Sequence, residues 1–172
     1  MEVSVEVLAE PSIKDIHELS NVLTDCVEGG ATVGFMWPFT TERAEKFWHD
    51  ATNAAAQGRR VIFVARNQQN TIMGTVSLIF AQADNQPHRA DIGKMLVHRQ
   101  ARQQGLGAAL MQAAEQKALE LGKTLLVLDT ASAEAKRLYT GQGWQAVGNI
   151  PNYALWPNGD YCETTYFFKK LI

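Results

Sequence analysis

The stretch that decides the fold reads Ala90-Asp91-Ile92-Gly93-Lys94-Met95-Leu96-Val97-His98-Arg99-Gln100-Ala101-Arg102-Gln103-Gln104-Gly105-Leu106-Gly107-Ala108-Ala109-Leu110. Its first part predicts a strand and its last part the start of a helix, so residues 102–108 form the turn between them. Gly105 and Gly107 let the backbone approach a bulky anion. The N–H groups of residues 104–108 lack partners at a helix N-terminus, and Arg102 adds a positive charge beside them. Together these groups predict a turn that binds pyrophosphate.

Two well-known phosphate loops do not fit this turn. A Walker loop ends in Gly-Lys-Ser/Thr, whereas Gly107 is followed by Ala108 and Ala109. A Rossmann turn needs a third small residue three positions after Gly107, and that position is Leu110. From these residues alone, a tight turn that only starts the helix remains the alternative.

Length, composition and charge narrow the class of protein. A chain of 172 residues with 46% hydrophobic residues predicts one domain over residues 1–172. A net charge of −2 without a basic run argues against a nucleic-acid partner. No apolar run approaches the ~20 residues that span a bilayer, and the alternating, acid-bearing start differs from a signal peptide. We therefore expect a cytoplasmic protein without a membrane partner, in which Cys26 and Cys162 are reduced packing residues.

Hydrophobic periodicity and turn residues predict the order βααβββαβαββ. Strands are predicted over residues 3–9, 60–65, 73–83, 90–97, 124–128, 144–150 and 161–171, and helices over 12–27, 41–57, 106–122 and 132–139. Ser12 and Asp15 match the capping pattern of a helix start. The continuous apolar run 124–128 is typical of a strand buried in a parallel pairing, so the third helix makes a right-handed crossover.

Two motifs carry a resemblance to a known family. Arg102-x-x-Gly105-x-Gly107, after a strand that ends in Met95-Leu96-Val97, resembles the Q/R-x-x-G-x-G/A signature of the GNAT superfamily of N-acetyltransferases. In that family the loop holds the pyrophosphate of acetyl-coenzyme A. Further along, Ala135-x-x-Leu138-Tyr139-x-x-x-Gly143-Trp144 resembles the family's second signature at its usual distance. Residues 29–36 and the C-terminal tail are similar to the tabtoxin-resistance acetyltransferase branch.

The resemblance implies a fold and a cofactor site. The implied fold class is α/β (α+β): a mixed, mostly antiparallel sheet of about seven strands with one splayed parallel pair, flanked by about four helices. The implied cosubstrate is acetyl-CoA, without a metal. Ser132 stands where many relatives have Asn, and its hydroxyl can cap the helix or touch the cofactor. The residues expected to bind the cofactor are Met95, Leu96, Val97, Arg102, Gln103, Gln104, Gly105, Leu106, Gly107, Ala108, Ser132 and Ala135.

Acetyl transfer to an amine needs a neutral amine, oxyanion stabilisation and a proton for the departing thiolate. As the resemblance implies, splayed strands near residues 95–97 would free backbone N–H groups to bind the cofactor. Tyr139 is the candidate general acid, and packing beside Leu138 in the core is its alternative role. Asp91 and Asp129 are candidates to take the amine proton, because adjacent parallel strands present their ends side by side. Either acid could instead cap a turn or pair with an Arg or Lys.

The histidines and Cys162 are weaker candidates for a role in the reaction. His17, His49, His88 and His98 lack metal-ligand spacing. Nothing in the sequence marks Cys162 as an activated thiol, so direct attack in a ternary complex is preferred over a route through an acetylated cysteine.

An apolar loop and a tyrosine are the candidate acceptor site. Phe35, Met36 and Trp37 lie in the loop and Tyr153 near the C-terminus; packing under a helix is the loop's alternative role. We expect N-acetylation of a small-molecule amine, such as a toxin or an antibiotic. The alternatives are a protein or peptide N-acetyltransferase and a non-catalytic acyl-CoA sensor. A homodimer through the C-terminal strands is also expected.

Overall fold

The computed structural model describes residues 4–172. Over that range the order of elements confirms the sequence prediction, with a 3₁₀ turn at Arg99–Ala101 that the sequence did not indicate. The predicted strand start at Val3 lies outside the described residues. The elements are β1 Ser4–Val7, α1 Ile13–Glu28, α2 Thr41–Ala56, β2 Arg60–Arg66, β3 Ile72–Phe80, β4 Arg89–Val97, α3 Leu106–Glu120, β5 Leu125–Thr130, α4 Ala133–Gly141, β6 Gln145–Leu155 and β7 Tyr161–Lys170.

β6 is longer than the sequence predicts. The prediction ended it at Ile150, because Pro151 and Asn152 are turn residues. The strand instead continues to Leu155 and absorbs both residues in an irregularity of its register with β7 between Ile150 and Ala154. Asn152 takes a φ of 54° there. A bulge at an edge strand accommodates residues that a regular ladder rejects.

The seven described strands form one sheet in the order β1-β2-β3-β4-β5-β7-β6. Every neighbouring pair is antiparallel except β4 and β5. Those two strands pair only from Arg89 opposite Leu125 to Asp91 opposite Val127, and then separate. The predicted mixed sheet with one splayed parallel pair is confirmed. The separation begins directly after Asp91, earlier than the expected segment 95–97.

Helices cover both faces of the sheet. α1 and α2 bury Leu19 and Trp48 against one face, and α3 buries Leu110 and Met111 against the other. The predicted cap of α1 is present, since the Ser12 hydroxyl accepts from the Asp15 N–H. Because both faces are covered, β3 is buried at polar and apolar positions alike, and its alternating pattern does not separate core from solvent. Within residues 4–172, no helix combines the length and apolar character needed to cross a membrane.

Candidate active site

The separation of β4 from β5 opens a cleft of about 980 Å³. It runs from the turn before α3 to the hairpin of β6 and β7, and residues 31–34 of the α1–α2 loop form part of its wall. This volume lies at the upper end of the range for small-molecule and cofactor sites. The candidate residues are therefore expected where β4 and β5 separate.

The turn before α3 presents free backbone donors to this cleft. Gly105, the N-cap of α3, has a φ of 82°, a left-handed conformation that favours glycine. The first N–H groups of a helix have no partner within it, and in the described chain no side chain caps those of α3. The Arg102 Nε donates to the Val97 oxygen at 3.2 Å, which ties its side chain to the end of β4. Free N–H groups beside a guanidinium suit an anion such as pyrophosphate.

Gly107 determines how closely α3 packs against α4. A Cβ at this position would lie 3.2 Å from Leu138 Cδ2 and 3.6 Å from Met95 Cε. The absence of a side chain at Gly107 therefore lets α3 approach α4 and β4 closely.

Most residues expected to bind the cofactor border the cleft. Met95, Leu96, Val97, Arg102, Gln103, Gly105, Leu106, Gly107, Ala108, Ser132 and Ala135 all line it. Gln104 lies outside its wall, and its side chain donates to the Gln100 oxygen at 3.3 Å. The Ser132 hydroxyl accepts from the Ala135 N–H at 3.2 Å and so caps α4.

Tyr139 fits both interpretations that the sequence left open. Its ring packs against Trp144 and Phe167, with centroids 6.0 and 5.9 Å away, and the residue is only 5% exposed. The same side chain borders the cleft. Burial, and secondarily the charge of Asp129, raises the pKa of Tyr139 to about 12. The hydroxyl therefore stays protonated at neutral pH and can donate a proton.

The structure separates the two candidate carboxylates. Asp129, on the part of β5 beyond the paired segment, lines the cleft, and the Thr164 hydroxyl donates to its Oδ2 at 2.7 Å. Asp91 is the last paired residue of β4; it lies outside the cleft wall and pairs with the Arg89 guanidinium. Asp91 therefore takes its alternative role, an ion pair with an arginine. Only Asp129 lies beside Tyr139 at the cleft.

The apolar loop lies behind the cleft wall. Phe35 packs against Phe39 and Phe47 at 4.6 and 5.6 Å between ring centroids, as in the alternative of packing under a helix. The Trp37 indole donates to the Val27 oxygen at 2.8 Å. Neither residue nor Met36 lines the cleft. The physical reason is that these side chains find apolar partners on α2 or a carbonyl at the end of α1, which leaves the preceding residues 31–34 at the cleft.

Tyr153 does line the cleft, at the C-terminal side. Its hydroxyl lies 2.8 Å from the hydroxyl of Tyr166. This hydrogen bond, together with burial, raises the pKa of Tyr166 to about 12. This hydrogen-bonded pair of tyrosines thus stands at the β6–β7 side of the cleft.

Lys94 borders the cleft and was not found from the sequence. A lysine beside Gly93 in the central strand β4 was the available signal for it. Cys162 borders the cleft as well, although the sequence indicated only a packing role for it. Cys162 Sγ lies 3.9 Å from Thr32 Oγ1, a contact across 130 residues of sequence that no local pattern announces. Burial raises the pKa of the other thiol, Cys26, which suits its expected packing role. Among the residues described, no cluster of His, Cys, Asp or Glu could hold a metal ion.

The sequence matches the profile of the Acetyltransferase (GNAT) family over residues 16–144. The chain belongs to this family. It is therefore an N-acetyltransferase, an acyltransferase that uses acetyl-CoA, as the two sequence motifs predicted. This acetyltransferase is 28% identical over 138 residues to an uncharacterized N-acetyltransferase in the hisH-hisA intergenic region of Azospirillum brasilense, with 79% of this chain and 80% of that protein covered.

Solved structures confirm the fold of the acetyltransferase. It is similar to a GNAT superfamily phosphinothricin acetyltransferase from Sinorhizobium meliloti in complex with acetyl-CoA, with a TM-score of 0.80 at 16% identity over 99% of this chain and 89% of that one. It is also similar to a ribosomal-protein-alanine N-acetyltransferase from Brucella melitensis, with a TM-score of 0.79 at 19% identity over 97% and 99% of the chains.

Proposed function

We propose that this acetyltransferase transfers an acetyl group to the amine of a small molecule by direct attack in a ternary complex. The observation that carries the proposal is that Asp129 and Tyr139 border the same cleft as the phosphate-binding turn. An acyl donor and an amine can therefore meet there without a covalent carrier. Tyr153 lines the β6–β7 side of the cleft, and the Trp37 backbone N–H donates to the Pro157 oxygen at 3.1 Å, which ties the α1–α2 loop to the β6–β7 turn. Because this contact limits how far the loop and the turn can separate, we expect a small acceptor to fit better than a peptide.

The residues around the cleft fit acetyl-CoA, which supplies an activated acetyl group as a thioester. The first N–H groups of α3 and the Arg102 guanidinium would hold the pyrophosphate. Gly107 lets the start of α3 pack closely against Leu138 of α4, and both residues border the cleft. The backbone of β4 beyond Asp91 has lost β5 as a partner, so its polar groups are available to an extended cofactor arm.

Asp129 and Tyr139 have complementary roles in the proposed proton transfers. The Asp129 carboxylate takes a proton from the incoming ammonium group and leaves a neutral amine able to attack. The hydrogen bond from Thr164 fixes the orientation of that carboxylate. The protonated Tyr139 hydroxyl donates a proton to the departing sulfur.

The test is thiol release from acetyl-CoA with small amines, aminoglycosides, β-lactam amino acids and peptides as acceptors. We expect turnover with a small amine, and a loss of kcat of about 10²–10⁴-fold in Asp129→Asn. Asp91→Asn is the matched comparison, because it neutralises the neighbouring carboxylate that pairs with Arg89. An equal or larger loss in Asp91→Asn would contradict the assignment to Asp129.

The same panel separates the two alternatives. Turnover with peptides and none with small amines would identify a peptide N-acetyltransferase. Binding of acetyl-CoA without turnover on any acceptor would identify an acyl-CoA sensor. Either result would overturn the proposed function.

A further inference from the structure

Lys94 is a cation of the cleft wall that the steps above leave without a role. It lies in a β-bulge, because two residues of β4 between Gly93 and Leu96 stand opposite a single residue of β3. Its φ of 48° is unfavourable for a residue with a side chain and persists only where the surroundings hold it. A bulge changes the direction of a side chain relative to the regular strand. Here it accompanies a lysine side chain that borders the cleft.

Aromatic rings hold the ammonium group of Lys94 in place. Its Nζ lies 5.2 Å from the centroid of Phe47 and 5.9 Å from that of Phe35. A cation over aromatic faces is attracted by the ring quadrupoles. A Cβ at Gly34 would lie only 3.8 Å from Nζ, so the ammonium group also lies against the loop that lines the cleft. Phe35 of the apolar loop therefore helps to position the charge of Lys94 and does not itself line the cleft.

The ammonium group has no carboxylate partner among residues 4–172, where an ion pair requires an N···O distance within 4.0 Å. Burial, and then the charge of Arg60, lowers the pKa of Lys94, and the charge of Asp129 only partly offsets this. Arg66, another shielded cation, is paired, since it contacts Asp15 at 2.8 Å. Because shielded charges are stable when paired, the environment of Lys94 favours an incoming anion.

Arg60 strengthens the case for an anion. Arg60 is the first residue of β2 and stands opposite Ile79 of β3. Ile79 stands opposite Asp91 of β4, so the side chains of Arg60 and Asp91 lie on the same face of the sheet. Its Nε is buried and has no hydrogen-bond partner in the described part of the chain. Arg60 does not line the cleft, but its charge lowers the pKa of Lys94, and a negative group beside Lys94 would offset that repulsion.

We propose that Lys94 binds a carboxylate of the acceptor, so that the enzyme selects small amines that also carry a carboxylate. This inference rests on the proposed function. Lys94 and Asp129 supply opposite charges to one cleft, and an amino acid brings the complementary pair. Its ammonium group faces Asp129, and its carboxylate faces Lys94. Because the rings already hold Lys94 in place, little side-chain freedom is lost on binding.

The experiment compares the standard L-amino acids with their carboxamides and with the amines that lack the carboxylate, in thiol-release assays. We expect the wild type to favour the carboxylates by at least about tenfold in kcat/KM. Lys94→Met removes this preference through a higher KM for the carboxylates alone, and Lys94→Arg restores part of it. Lys123→Met is the matched control, since its Nζ also lies over a ring, Phe80, at 4.9 Å, but outside the cleft.

A binding measurement separates failure of this inference from failure of the proposed function. The proteins are saturated with coenzyme A and titrated calorimetrically with the same amino acids; Lys94→Gln replaces Lys94→Met if the latter does not fold. Binding that is lost only on neutralising Lys94 supports the inference even without turnover. Equal binding by wild type and variant, or turnover with uncharged amines only, overturns the inference and leaves N-acetylation itself intact.

Discussion

Tyr139 places a packed ring and a reactive hydroxyl in one side chain. The ring lies in the core beside Trp144 and Phe167, whereas the side chain also borders the cleft. Within the described chain the hydroxyl has no protein hydrogen-bond partner, so replacing it removes little folding free energy. The position therefore allows chemistry to be separated from packing.

Tyr139→Phe is expected to lower kcat by about 10²-fold or more and to leave the KM for acetyl-CoA nearly unchanged, because the hydroxyl is proposed to act as a proton donor. Thiol release under saturating acetyl-CoA measures both constants. Tyr161→Phe, at a tyrosine that is 72% exposed, is the control. A Tyr139→Phe enzyme with full kcat would show that water supplies the proton instead.

The raised pKa of Tyr139 also predicts a pH dependence of stability. The unfolded chain loses the phenolic proton near pH 10.0, whereas the folded protein keeps it up to about pH 12. The stabilisation of the folded state is therefore fully present below pH 10.0 and is lost as the pH rises to about 12. Two pKa units correspond to about 2.7 kcal/mol.

Urea unfolding across this pH window measures the effect. The free energy of unfolding of the wild type should fall relative to that of Tyr139→Phe, which carries no titrating group at this position. Parallel curves for the two proteins would mean that the phenol is not buried in solution.

At the scale of elements, the start of α3 and its distance from α4 shape the candidate cofactor site. Gly105 meets a backbone requirement, since its φ is 82° and a Cβ there would find open space. Gly107 meets a packing requirement, since a Cβ there would touch Leu138 at 3.2 Å. The two glycines of one motif thus serve different physical purposes.

Gly107→Val should weaken coenzyme A binding by tenfold or more, because the valine side chain would clash with Leu138 and displace the start of α3, with its free N–H groups, from α4. An overpacking cost of about 1–3 kcal/mol underlies this estimate. Calorimetric titration gives the dissociation constant, and a thermal unfolding curve shows whether the fold is retained.

Gly141→Val is the matched control for this change. Gly141 ends α4, and a Cβ there would meet no atom within 4 Å. Coenzyme A should bind this variant as it binds the wild type. Equal affinities of the Gly107 and Gly141 variants would contradict the proposed path of the cofactor.

At the scale of the whole molecule, β6 is an exposed edge of the described sheet. It spans 11 residues, and Val147, Ile150 and Leu155 are 69%, 43% and 39% exposed. A long edge strand with exposed apolar side chains is a template for pairing with another strand. We propose that two copies of the chain, each a single domain over residues 1–172, associate through this edge.

Light scattering after size exclusion tests this association. The wild type should show the mass of two 19.0-kDa chains, and Val147→Lys should shift it toward one chain without changing coenzyme A binding. Ile13→Lys is the control, because Ile13 is 91% exposed at the start of α1, away from β6. A wild-type mass of one chain would contradict the proposed homodimer.

The sequence by itself determined the order of elements, the cap of α1 and the glycine turn before α3. These features depend on neighbours in the chain: glycine readily adopts the left-handed φ that Gly105 has in the turn, and the Ser12 cap needs only Asp15. Local backbone chemistry is sufficient for them, so they could be predicted without knowledge of the contacts between elements.

Only the tertiary structure decided which acid faces the cleft and where the aromatic loop lies. Asp91 lies near the start of β4 and Asp129 near the end of β5, but the partner of Asp129 is Thr164, 35 residues away. The rings of Phe35 and Phe47 meet Lys94 from distant segments. Which of these side chains meet depends on which elements pack together, and packing depends on long-range burial that no local spacing encodes.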